Sequence, residues 1–111
     1  MIQYAVLIFE HTKDLPAEVL QAHAELPGRI AAGGGRVIAG LALHPGETAT
    51  TIRGDLITDG PFIETKEDLA GVFVLQARDL DHALALAAMT PVVDGGVEVR
   101  PLLGFQVMEQ A

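Results

Sequence analysis

Two segments of this chain, Ile2 to Phe9 and Gly71 to Ala77, are apolar on both parities of a strand. In the first, Ile2, Tyr4, Val6 and Ile8 alternate with Ala5, Leu7 and Phe9, and in the second Val72 and Val74 alternate with Phe73 and Leu75. A half-solvated strand shows apolar residues on one parity only, so both segments are predicted to lie in a sheet covered on two sides. That requirement limits the chain more than any other feature does, because the remaining sequence holds only two helix-like stretches.

The first helix is predicted from the spacing of Val19, Leu20, His23, Leu26 and Ile30, with Pro16 in its first turn behind Asp14 or Leu15 and Gly33-Gly34-Gly35 as its stop. Asp79 is placed to cap a second helix from Leu80 to about Met89, which Thr90-Pro91 ends. Arg36 to Leu43 reads as a strand. Thr48 to Ile52 and Leu56 to Thr58 flank a Gly54-Asp55 turn as a small hairpin. Val97 to Arg100 alternates as a strand with one wet face, and Phe105 to Met108 adds a short edge. The order is strand, helix, strand, hairpin, strand, helix, strand over one domain spanning 1–111, a split βαβ sandwich of the ferredoxin-like α+β class with an antiparallel sheet. Two helices cover one face of such a sheet. The other face needs a cover, and a second copy of the chain, sheet against sheet, supplies it. Val74→Asp is therefore expected to harm the protein more than Glu109→Ala.

No apolar run reaches the ~18 residues of a membrane helix, and the start lacks a basic signal region, so a soluble cytoplasmic protein is expected. With no cysteine and no serine, disulfides, thiolate ligands and serine nucleophiles are excluded. Fifteen acidic residues against seven basic ones give a net charge of -8, and the cations do not cluster. Phosphate-backbone binding needs clustered cations, so nucleic acid is not an expected partner. A gel shift at low micromolar protein in physiological salt should show no complex; a shift that unlabelled nucleic acid competes away would contradict this.

The densest run of functional residues is Thr58-Asp59-Gly60-Pro61-Phe62-Ile63-Glu64-Thr65-Lys66-Glu67. It resembles the signature of the DGPF branch of the YCII-related (YciI-like) proteins, and the resemblance extends from Met1 to Leu102. It implies a dimeric α+β barrel and a functional histidine in the first helix, which falls on His23. Related dimeric barrels include muconolactone-isomerase-like and dehalogenase members. DGPF-type proteins are often associated with extracytoplasmic-function sigma factors, which implies a regulatory setting. Relatives also place an aspartate before the proline that follows the second helix, whereas this chain has Thr90-Pro91.

His23 is accordingly the first candidate for proton transfer, set against a structural role in the helix stripe. Pro27 cannot donate to its carbonyl, which kinks the helix there or divides it. Asp59 is the candidate partner, unless its carboxylate is spent on its own turn. Glu64, Lys66 and Arg100 are candidates for holding a small anionic substrate. Gly33-Gly34-Gly35-Arg36 precedes a strand and is a helix stop, not a phosphate loop. His11, His44 and His82 lack metal-ligand spacing, so neither a metal nor a cofactor is expected. The enzymatic reading is a cofactor-free isomerisation, lactone rearrangement or elimination, including dehalogenation. The alternative is a small-molecule-binding accessory or regulatory module linked to sigma-factor signalling.

Overall fold

The computed structural model describes residues 1–108; Glu109 lies outside them. The chain forms β1 (Ile2–Glu10), α1 (Ala17–Ala32), β2 (Arg36–Ala42), β3 (Thr50–Arg53), β4 (Leu56–Asp59), β5 (Asp68–Ala77), α2 (Leu80–Ala87) and β6 (Gly95–Pro101). Strands β2, β5, β1 and β6 pair in that order, each antiparallel to its neighbours, which is the ferredoxin-like α+β arrangement. β3 and β4 make a separate two-stranded ribbon.

Alternation along β1 and β5 sorts the sheet into two different faces. Tyr4, Val6, Phe73, Leu75 and Ala77 are buried beneath the helices. Leu26 and Ile30, one turn apart on α1, and Ala83, Leu86 and Ala87 on α2 complete that core. The opposite face carries Ala5, Leu7, Val72, Val74 and Ala39, all half-buried, with Leu41 exposed beside them. The register places Ala5 opposite Val74 and Leu7 opposite Val72, so this face is continuous and apolar across its centre. Glu98 and Arg100, bonded to each other, fringe it on β6.

Helix ends depart from expectation by one or two residues. Pro16 is the capping residue rather than part of the first turn, and its carbonyl accepts from the amides of Val19 and Leu20. α1 passes through Pro27 undivided and stops at Gly33. Asp79 does cap α2, its Oδ1 accepting from the His82 amide at 2.8 Å. The helix proper ends at Ala87, and the amides of Met89 and Thr90 close tighter turns onto Leu86 and Ala87. His82 staples the two helices: Nδ1 accepts from the Arg78 amide at 3.1 Å, which leaves Nε2 to donate to the Gly33 carbonyl at 2.8 Å.

The hairpin begins at Thr50, not Thr48, because residues 46–48 coil into a short 3-10 turn in which Thr48 Oγ1 donates to the Pro45 carbonyl. Gly54 at φ +59 supplies the turn. Ile52, Leu56 and Ile57 on this ribbon are each 60 % or more exposed. The radius of gyration is 15.3 Å, against about 13 Å for a compact chain of this length; the ribbon stands out from the body. The edge expected over 105–108 does not form: the Leu102 amide still donates to the Gln3 carbonyl at 3.0 Å, but Phe105, Val107 and Met108 beyond it lie exposed and outside any strand.

Candidate functional site

Antiparallel topology gathers the end of β1, the end of β2 and the start of β5 at one end of the sheet. There a cavity of about 610 Å³ opens between α1 and the sheet. Its walls are Ile8 and Glu10 of β1, Thr12, Lys13 and Leu15 of the following loop, Leu20 and His23 of α1, residues 40–45, residues 68–73 and Pro91. Most of that lining is apolar, as ligand pockets usually are, with a few polar groups at fixed positions.

The polar groups differ in how far they are already engaged. Glu10 is 7 % exposed and anchors the segment ahead of β6. Its Oε1 accepts from the Val93 amide at 2.7 Å, and its Oε2 accepts from the amides of Asp94 at 2.9 Å and Thr12 at 3.2 Å. Burial by itself pushes this carboxyl up, but the amides of Val93, Asp94, Thr12 and His11 outweigh it and hold the group below the ordinary glutamate value. Asp68 accepts from the Gly46 amide at 3.0 Å. Gly46 is required for that approach, since a Cβ there would sit 2.6 Å from Asp68 Oδ1. Lys13 pairs with Glu47 at 3.0 Å across exposed surface, a contact contributing ~0–1 kcal/mol. His23, half-buried, and His44 hydrogen-bond to no other described residue.

The other candidates lie elsewhere. Asp59 ends β4 opposite Thr50, is exposed, and does not line this cavity. Gly60 beside it has φ +98 and donates to the Ala49 carbonyl at 2.8 Å, so the Asp-Gly pair closes the base of the ribbon. Phe62 lies under the Arg53 guanidinium, 4.1 Å from its centroid. Glu64 and Lys66 are exposed, and the Lys66 carbonyl meets His11 Nδ1 at 2.7 Å. Thr65 and Glu67 of the same run border a smaller hollow of about 300 Å³ with Phe9 and residues 95–98. Arg100 is held by Glu98 on the open face of the sheet. Thr90 is buried and its Oγ1 has no partner among the described residues.

The chain thus brings His23 together with Lys13, His44 and Asp68, none of which was assigned to a site from sequence. A signal for them existed. All three lie at strand ends that an antiparallel βαββαβ order puts on one edge. Among the described residues no group of three or more His, Asp or Glu side chains is arranged to hold a metal ion, and no helix is long and apolar enough to cross a membrane.

A four-stranded antiparallel sheet backed by two helices, with a histidine of the first helix in a cavity at the sheet end, defines a ferredoxin-like α+β protein with one covered face. Residues 2–106 match the model of the YCII-related domain, and the chain belongs to that family. It is also similar to an uncharacterized protein, R00369, of Rhizobium meliloti (strain 1021), 39 % identical over 67 residues. That match covers 54 % of this chain and 54 % of the relative.

Proposed function

We propose that this chain binds a small organic anion in the 610 Å³ cavity and acts as a homodimer, in the manner of a ligand-sensing or accessory module. The observation that carries the reading is His23: a half-buried imidazole on the wall of an open, mainly apolar cavity, with no hydrogen-bond partner among the described residues. A histidine serving only the fold would have its nitrogens satisfied, as His82 does. A link to sigma-factor signalling would make the bound molecule a regulatory signal.

The dimer is supported by two unpartnered surfaces, the apolar face of β1 and β5 and the protruding ribbon. An isolated two-stranded ribbon is marginal in water, so one that exposes Ile52, Leu56 and Ile57 needs a surface to pack on. In such a dimer the cations Lys66 and Arg100 would serve anion capture away from the wall that holds His23, with Asp59 and Glu64 beside the ribbon as proton acceptors or structural carboxylates.

A second reading, a cofactor-free acid-base enzyme acting by isomerisation, lactone rearrangement or elimination, is favoured by the presence of two unengaged imidazoles, His23 and His44, in one cavity. Incubating the protein in deuterated water with a panel of small carboxylates and lactones separates the two. Binding without deuterium incorporation into the ligand supports the module. Incorporation that His23→Asn abolishes, with affinity kept within about threefold, identifies proton transfer by His23. Ligand affinity and incorporation both unchanged in His23→Asn would overturn the place of His23 in either reading.

A further inference from the structure

We propose that the cavity takes an amphiphilic monoanion, a carboxylate on an apolar body, and that Lys13 and His44 join His23 as the groups that hold its head. The inference rests on the small-anion reading above and narrows it to a ligand class.

The state of each polar group in the wall leads there. Glu10 is spent on three backbone amides and cannot serve a ligand without releasing the 93–94 segment. Asp68 is engaged by the Gly46 amide. The free donors in the wall are nitrogens: His23 and His44 have no partner among the described residues, and Lys13 is tied only to Glu47, which is 65 % exposed and outside the cavity wall, while the one carboxylate oxygen left without a bond there is Asp68 Oδ1. Exchanging a pair so exposed for a ligand carboxylate costs little, because water already screens it. Three nitrogen donors that can carry positive charge match one carboxylate head, and a desolvated carboxylate needs such donors.

The body of the ligand follows from the rest of the surface. Leu15 and Leu20 on one side and Leu43 and Phe73 on the other give it apolar walls, and only Thr12 adds a hydroxyl. A dicarboxylate or polyhydroxylated acid would leave its second polar group facing leucine, losing its hydration without a replacement partner. A phosphate ester is disfavoured because it needs several backbone amides as well as cations, and the amides of Thr12 and Gly46 already donate to Glu10 and Asp68.

The test titrates the full chain, followed by amide and imidazole NMR, with octanoate, 1-octanol, acetate and octylammonium. Octanoate should bind saturably and move the signals of Lys13, Leu20, His23 and His44, with acetate and 1-octanol each weaker by about tenfold or more, since each lacks one half of the interaction. Lys13→Met and His44→Gln should each weaken octanoate about fivefold or more and leave 1-octanol unchanged. Equal affinity for octanoate and 1-octanol, or tighter binding of octylammonium through Asp68, overturns the head-group assignment. Acetate binding in the cavity as tightly as octanoate removes the apolar body while leaving the small-anion reading intact. No cavity shifts with either carboxylate removes both.

Discussion

Val74→Asp should dissolve the proposed homodimer. Val74 lies at the centre of the open sheet face, between Ala5 of β1 and Ala39 of β2, and it is half-buried by its lateral neighbours alone. Within one copy an aspartate there still reaches water, so the monomer fold tolerates it. In a sheet-to-sheet dimer the same carboxylate is stripped of water against a second apolar face, at a cost of several kcal/mol. The dimer dissociation constant should rise about a hundredfold or more, near 2.7 kcal/mol at 1.4 kcal/mol per tenfold. The lost interface should measure about 1,600 Å² or more. Light scattering on both proteins checks this. A wild-type chain that is monomeric at micromolar concentration, and binds no dye for exposed apolar surface, contradicts the dimer.

Glu10→Ala should be the most damaging change to a charged residue. Its removal leaves the amides of Val93 and Asp94 without acceptors at the base of β6. A hydrogen bond to a charged acceptor contributes about 1.5–3 kcal/mol, so a loss of about 3 kcal/mol at neutral pH is expected. The pH dependence follows from the depressed value of this carboxyl. A group with a folded-state pKa below its unfolded one binds fewer protons when folded, so its contribution is complete above the unfolded value and is lost as pH falls through the folded one. Denaturant titrations should therefore show the gap between wild type and variant narrowing below the ordinary glutamate range. A gap that widens in acid, or no gap at neutral pH, would show that these bonds do not hold the segment.

Elements were legible in the sequence where one local cause dominated. Double-faced apolarity marked β1 and β5, the Asp79 carboxylate fixed the start of α2, and three glycines fixed the end of α1. Strand order followed from the element sequence. Boundaries failed where a local hydrogen bond outweighed pattern, as at Thr48, whose hydroxyl reaches Pro45 and keeps the chain out of β3. The supposed edge over 105–108 failed because apolar residues alone do not make a strand without a ladder partner. His23 was legible as a candidate because it interrupts an apolar stripe, and it does line the cavity. Lys13, His44 and Asp68 were not, since they meet only through strand pairing and lie 20 or more positions from one another in the chain. Glu10 looked like an ordinary strand-end carboxylate. Its role depends on amides more than 80 residues downstream, which no local pattern encodes.

The cavity at His23 as the working surface of the protein is most directly tested by closing it without touching a charge. Leu20 forms part of its wall and is 57 % exposed, so Leu20→Trp adds bulk at the mouth while leaving the core of Leu26 and Ile30 intact. Saturation-transfer NMR with a panel of small organic anions should show binding to the wild type that falls about tenfold or more in Leu20→Trp, with unchanged melting temperature and oligomeric state. Anion binding that is equally strong in the two proteins would contradict the cavity as the ligand site.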